Sequence, residues 1–348
     1  MEKAWPRLKS LDLQGIILRD VDKLKEVLSF GVPAVVVGHS KTEVAGMVNV
    51  ITDSDAIGRM ASEHLLACGF RNFAYCGLEN TTLEKAPWSI DRKRAFAQRV
   101  VDAGLICRSY AATSATPLSW PRERRAMVQW LQSLPKPVGL MACNDDRAQQ
   151  VLEACKLAGL AVPDAVGIIG VDNDEVVCGL SDPSLSSVSV NFERAGFEAA
   201  QALDRLIRRK RRRASRITVP ATHVVGRRST DFVAVADMQL AKALRCVRDH
   251  ARLGGMGVTD MAQAAGLSRR ALERRFRREM GTSIHKYIRK VRTDQIARLL
   301  VETHLPVAHI ADSLGFADVQ HFARYFRAGK GVSPLAYRKT NGTHAAMA

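Results

Sequence analysis

Val258-Thr259-Asp260-Met261-Ala262-Gln263-Ala264-Ala265-Gly266-Leu267-Ser268-Arg269-Arg270-Ala271-Leu272-Glu273-Arg274-Arg275-Phe276-Arg277 is the stretch on which the organisation of this chain turns, because its pattern is written twice. Val307, Ala311 and Gly315 lie 49 residues after Val258, Ala262 and Gly266. Arg324, Phe326, Arg327, Gly331, Ser333 and Tyr337 lie 50 after Arg274, Phe276, Arg277, Gly281, Ser283 and Tyr287, so the second copy has one extra residue in its turn. Each copy opens with apolar residues at helical spacing: Val258, Met261, Ala262 and Ala265, then Val307, Ile310, Ala311 and Leu314. A glycine follows, Gly266 or Gly315, where a helix can end at positive φ. Ser268 and Asp318 then offer a side-chain oxygen to the unpaired N–H groups that begin the next helix.

Those next helices are two-faced. Leu272 and Phe276, or Phe322 and Phe326, form an apolar side. The other side carries Arg269, Arg270, Glu273, Arg274 and Arg277 in the first copy and Gln320, His321, Arg324 and Arg327 in the second. An arginine can bond guanine through two N–H groups, glutamine can do the same for adenine, and glutamate can accept from cytosine, so such a face suits the major groove of duplex DNA. A single copy would fit equally a helical bundle with a solvated basic face. Two copies with matched glycine, phenylalanine and arginine favour a pair of helix-turn-helix units. Together with Ala297-Arg298-Leu299-Leu300, Ile310-Ala311, Gly315-Phe316, Ser333-Pro334 and Tyr337-Arg338, residues 238–341 resemble the DNA-binding domain of the AraC/XylS regulators.

Charge divides the chain in the same way. Of a net +17 over 348 residues, residues 237–348 carry +11 and residues 205–230 carry +10, while the remainder is at −4. The polyanion partner therefore belongs to the C-terminal end, and the rest reads as a near-neutral globular part. The run Arg208 to Arg213 reads as a solvated loop that attracts phosphates without sequence preference. No apolar run reaches membrane-spanning length, and Met1 to Ser10 lacks the apolar core of a signal peptide, so a cytoplasmic location and no membrane partner are expected. Seven scattered cysteines without a C-x-x-C pair fit reduced thiols and give neither a disulfide framework nor a metal site. No P-loop, G-x-G-x-x-G, H-E-x-x-H or G-x-S-x-G word occurs, so catalytic residues and cofactors are not expected.

Upstream, buried-strand runs alternate with helical stretches: Gly15 to Leu18, a helix from Val21 to Phe30, Pro33 to Val37, Met47 to Ile51, a helix from Asp55 to Cys68, Phe73 to Gly77, a helix from Ile90 to Ala103 and Ile106 to Tyr110. Arg122 to Ser133 (helix), Pro137 to Ala142 (strand), Arg147 to Ala158 (helix) and Val166 to Val171 (strand) continue the rhythm. This is an α/β fold with a mainly parallel sheet, which binds ligands at the carboxyl ends of its strands. Val50-Ile51-Thr52-Asp53, His64-Leu65-Leu66, Cys143-Asn144-Asp145, Val162-Pro163, Gly170-Val171-Asp172-Asn173 and Leu185-Ser186-Ser187-Val188 resemble the sugar domain of LacI-type repressors and periplasmic binding proteins. With Arg227-Arg228-Ser229-Thr230-Asp231 at the joint, the combination resembles the bacterial xylose-operon activators.

The resemblance implies a two-lobed periplasmic-binding-protein-like domain over residues 1–228, a linker over 229–237, an all-α domain with two helix-turn-helix units over 238–341 and a disordered tail over 342–348. It also implies a pocket in which Arg92, Asn144 and Asp172 bond a sugar's hydroxyls, with Trp120 and Trp88 offering indole faces to its ring. A neutral polyol does need forked donors and fixed acceptors. Plainer roles stand beside these. Arg92 could be a surface residue paired with Asp91 or Glu84, Asn144 and Asp145 could cap the next helix (Asp145 above all), and Asp172 could fix a turn. Trp120 could be core, as Trp130 is expected to be. The LacI-type pattern has a strand and helix ahead of Gly15 to Leu18, so the first lobe is expected to lack a central strand, as a fragment or a misplaced start would. The function expected is a sugar-responsive regulator, with a pentose such as xylose as effector, DNA and RNA polymerase as partners, and a homodimer as the working form. A sugar-binding or carbohydrate-processing protein with a non-regulatory helical domain is the alternative.

Overall fold

The computed structural model describes residues 11–19, 29, 31–38, 44, 46–78, 86–110, 120–209, 215–231, 239–240, 242–244, 246 and 257–341. Among the described residues ten strands run through its α/β part: β1 (Ile16–Arg19), β2 (Ala34–Val37), β3 (Val48–Thr52), β4 (Asn72–Cys76), β5 (Cys107–Ser109), β6 (Val138–Ala142), β7 (Val166–Asp172), β8 (Ser186–Val190), β9 (Ser215–Val219) and β10 (Ala221–Val225). They form two sheets, ordered β1-β2-β3-β9 and β10-β8-β7-β6-β4-β5. Every pairing is parallel except β10 against β8. Parallel strands are covered on both faces, which is why β2, β6 and β7 read as continuous apolar runs. The strand expected from Gly15 to Leu18 is β1, and among the described residues it lies at the edge of the first sheet. The helix read over Val21 to Phe30 lies outside the described residues, as do most of the basic run and the tail.

Among the described residues six helices accompany the sheets: α1 (Ser54–Ala67), α2 (Pro87–Asp102), α3 (Trp120–Ser133), α4 (Asp145–Leu157), α5 (Glu175–Leu180) and α6 (Phe192–Arg209). The chain passes between lobes three times: at Asp53 from β3 into α1, at Asn191 from β8 into α6, and at Pro220 from β9 into β10. Two of these crossings touch, since the Asp53 N–H donates to the Val219 carbonyl at 2.9 Å. Phe70, Phe73, Tyr75 and Phe96 are fully buried where helices meet the larger sheet. All seven cysteines are free thiols, and burial pushes Cys143 up to about 12, so it is protonated at neutral pH.

Helices α1 and α2 cross in close contact because Gly58 has no side chain. A Cβ there would lie 2.7 Å from the Ala95 Cβ and the Arg92 carbonyl. Gly58→Ala is expected to push α2 aside, lowering stability by about 1–3 kcal/mol and loosening Arg92. Urea unfolding would measure the loss, and an unchanged midpoint would show that the crossing has slack.

The C-terminal part is helical: α7 (Val258–Ala264), α8 (Arg269–Met280), α9 (Ile284–Glu302), α10 (Val307–Ser313), α11 (Val319–Lys330) and α12 (Pro334–Asn341). Gly266 and Gly315 end α7 and α10 at φ +64° and +70°. Ser268 and Asp318 accept from the Ala271 and His321 N–H groups to begin α8 and α11. Two small cores result, one around Leu272 and Phe276 and one around Phe322 and Phe326. The long α9 serves both, with Ile284 and Tyr287 in the first and Ile296 and Leu300 in the second. It also packs against β10, so the helical part is docked on the α/β part. Ser229 and Thr230, read from sequence as linker, are buried in the α/β part. The Ser229 hydroxyl donates to the Ile168 carbonyl, and Thr230 Oγ1 lies 2.6 Å from Ser186 Oγ.

Candidate ligand cleft and nucleic-acid interface

The cleft is built around Arg92. This side chain is 4 % exposed although it stands on a helix. Its Nη1 donates to the Cys143 carbonyl at the end of β6, its Nη2 lies 3.6 Å from Asp172 Oδ1 at the end of β7, and Thr52 Oγ1 at the end of β3 is 3.5 Å away. Trp88, one helical turn earlier, lays its ring 4.8 Å from the guanidinium carbon. Asp91 is not its partner and pairs instead with Arg94 at 3.4 Å; Glu84 lies outside the described residues. A buried guanidinium is stable only when paired and bonded, and these groups pair it. Its Nε is buried without an acceptor among the described residues.

Asp172 takes its position at a strained backbone. Its φ is +103° and that of Asn173 is +55°, both unusual outside glycine. Three side chains hold the turn. Ser187 Oγ accepts from the Asn173 N–H at 3.0 Å, Asp145 Oδ2 accepts from the Asp174 N–H at 2.9 Å, and Arg227 Nη2 donates to Asn173 Oδ1 at 2.9 Å. Burial is the main cause that raises the Asp172 carboxyl to about 6; Arg92 pulls it down, and Asp145 and Asp146 push it up.

Asn144 takes the capping role that the sequence reading gave above all to Asp145. Asn144 Oδ1 caps α4 by accepting from the Arg147 N–H at 3.0 Å. Asp145 is not the cap. Gly170 has no Cβ to block it, and its carboxylate turns inward to accept from the Ser187 hydroxyl at 2.7 Å. Trp120 packs against the core of the second lobe and lines a surface hollow of about 490 Å³ with Gln149, Gln150 and Leu180. That contact set does not include Arg92 or Asp172. Trp130 packs on Tyr110 at 5.1 Å, as core. Sequence reasoning passed over Thr52 and Asn173 as site residues although both stood in words it had singled out, and it used Arg227 only as a marker of the joint.

On the helical part, Arg269, Arg270, Arg274 and Arg277 of α8 and Gln320, His321, Arg324 and Arg327 of α11 are all exposed. Among the described residues, Arg270, Arg274, Arg277, Arg324 and Arg327 have no acidic partner. Glu273 is engaged: Arg269 Nε donates to it at 3.0 Å and His285 Nε2 lies 3.8 Å away. His321 rests its ring against Phe316 at 5.6 Å. Two faces carrying arginines without acidic partners among the described residues, on separate cores joined by the single helix α9, form an arrangement that can grip two stretches of phosphate backbone and reach into grooves.

This fold and these faces define a class: a DNA-binding transcription regulator in which a two-lobed periplasmic-binding-protein-like domain carries a double helix-turn-helix. Residues 62–230 match the family model described as a periplasmic binding protein-like domain, and residues 261–340 match that described as a helix-turn-helix domain. The chain is 32% identical to the xylose operon regulatory protein of Escherichia coli (strain K12), covering 94% of this chain and 84% of that one. It is 30% identical to the protein of the same name from Haemophilus influenzae, over 95% of this chain and 86% of the other. The solved structure of the xylose-binding transcription activator xylR superposes with a TM-score of 0.57 at 31% identity, covering 94% of this chain and 87% of that one. The chain belongs to the family of the xylose operon regulatory proteins, a family of regulators and not of enzymes.

Proposed function

We propose that this regulator takes a pentose, with xylose as the first candidate, into the cleft between its lobes and that the bound sugar changes how its two reading helices meet DNA. The observation that carries the reading is the Arg92–Asp172 pair, held at strand ends beside Thr52 of the opposite lobe. Forked N–H donors and a carboxylate acceptor are what a ring of hydroxyls requires, and Trp88 adds an aromatic wall. Asn144 contributes its amide N–H groups, since its oxygen is spent on the helix cap. The names of the relatives support xylose. The exposed arginines of α8 and α11 read bases, with Gln320 and His321 beside them, and Arg269 and Glu273 act as a coupled pair. The regulator works in the cytoplasm as a homodimer and passes its signal to RNA polymerase.

Among the described residues no helix is long and apolar enough to cross a membrane. A sugar carrier or enzyme with a non-regulatory helical domain is disfavoured by the unpaired arginines on two matched helices, for which such a protein has no use.

The test is a melting-temperature series with D-xylose, D-ribose, L-arabinose and D-glucose. A sugar at a hundred times its Kd stabilises the native state by about 2.7 kcal/mol. D-xylose is expected to raise the Tm and, in the same sample, to change the affinity for duplexes selected by the full-length protein from a random library. A Tm unmoved by every sugar would remove the sensor role, and no sequence-selective duplex would remove the reader role.

A further inference from the structure

Helix α12 lies where the two lobes join. On one side Asn191 Nδ2, in the crossing between β8 and α6, donates to the Asn341 carbonyl at 2.7 Å, and Arg194 Nη1, in the first turn of α6, donates to the Thr340 carbonyl. Helix α6 packs on β1, β2, β3 and β9, so Arg194 belongs to the first lobe. On the other side the Tyr337 hydroxyl donates to the Thr222 carbonyl at 2.7 Å, two residues past the crossing at Pro220. Thr222 is part of the second lobe. The register of β10 against β8 slips at this residue, from Ala221 opposite Val190 to His223 opposite Ser189. Such a bulge takes a carbonyl out of the ladder and turns it toward a new partner.

The same helix is fixed to the second DNA-reading unit. The Tyr337 ring packs on Phe326 of α11 at 5.3 Å, and Arg338 Nε donates to the Leu300 carbonyl of α9 at 3.1 Å. The C-terminal end of α12 and its middle are thus held by parts of the sensor that move against each other when lobes rotate, while Tyr337 and Arg338 also hold it to the reader. Packed elements of this kind respond to small displacements by switching partners, because close-packed interfaces deform poorly.

We propose that α12 is a strap across the hinge of the sensor, and that lobe rotation acts on the second reading unit by changing the match between its Asn191 and Arg194 anchors and its Thr222 anchor. This rests on the sugar-sensing reading above. Its rival is the covalent joint, where Arg227 touches the Asp172 turn through Asn173. The strap gives the hinge a direct route to α11 that does not pass through that joint.

The test uses full-length protein, D-xylose and a duplex selected from a random library. The quantity read is the ratio of DNA affinities with and without D-xylose, which for coupled sites typically spans about 5- to 150-fold. Tyr337→Phe removes one anchor without disturbing the ring packing, and Arg194→Ala removes another. Each is expected to bring the ratio toward one while leaving D-xylose affinity at the wild-type value. In the wild type, amide exchange across residues 334–341 is expected to change on D-xylose binding. A responsive wild type with both variants equally responsive, or with exchange in 334–341 unaltered, overturns the strap and leaves the sensor reading standing. Variants that lose D-xylose affinity itself also overturn it, since they would then act on the pocket. A wild type whose DNA affinity ignores D-xylose overturns the sensor reading and the strap with it.

Discussion

Asp172→Asn is expected to weaken D-xylose binding about 10- to 150-fold and so to silence the sugar response, leaving basal DNA affinity in place. A hydrogen bond to a charged group contributes about 1.5–3 kcal/mol, and the amide keeps the shape of the carboxylate but not its charge or its second acceptor oxygen. The substitution also leaves Arg92 without its anionic partner. Because the Asp172 side chain is 32% exposed, water screens part of that loss, and the lower half of the range is the better expectation.

The same carboxylate predicts a pH dependence. Its value is raised to about 6 because burial disfavours the ionised form. For an acid shifted upward, the proton-bound state is the one the fold favours. The associated stability is therefore complete below the ordinary carboxylate range and is lost as pH rises through about 6. Sugar hydroxyls donate to the ionised form, so D-xylose affinity should run the opposite way and fall about tenfold between neutral pH and one unit below that value. Titration calorimetry at several pH values measures it. Asp172→Asn should flatten the profile, and Asp55→Asn, at an exposed pair with Arg94, should leave it unchanged. A wild-type affinity independent of pH from 5 upward (about one unit below the shifted value) would take Asp172 out of the sugar's contacts.

Arg274→Ala and Arg324→Ala are expected to weaken binding to a selected duplex by about 1–3 kcal/mol each, with preference relaxed at one base pair, a different one for each variant. The two arginines stand on helices with separate cores, so the double variant should lose about the sum, 2–6 kcal/mol. D-xylose affinity in the absence of DNA should not change. Anisotropy on a panel of single-base variants of the duplex separates the outcomes. If a variant binds all sequences more weakly by a common factor, with a shallower salt dependence, its arginine holds a phosphate and reads no base.

Much of this molecule was legible before any coordinates. The reader announced itself twice, and its parts are local: apolar residues three and four apart, a glycine where φ turns positive, and a serine or aspartate whose oxygen reaches the N–H three residues on. Gly266, Gly315, Ser268 and Asp318 do in the structure what those rules assign them. The alternation of strand and helix in the α/β part was likewise set by period and by turn residues. Such features depend on neighbours within one helical turn, so the chain itself determines them.

What folding alone decided are the pairings between distant segments. Arg92 could have met Asp91 on its own helix; the parallel pairing of β6 with β7 and the approach of β3 from the other sheet bring Cys143, Asp172 and Thr52 around it. Asn144 and Asp145 are equally good caps by sequence. The choice falls to Asn144 because a side-chain-free Gly170 on the next strand opens room for Asp145 to turn inward. Trp120 went to a helix surface of the second lobe for the same kind of reason. The seating of Tyr337 on Thr222 depends on a bulge, a hinge and a docked helix at once. Local rules fix elements because their energies come from adjacent residues; contacts across a fold depend on how whole sheets and helices close on one another.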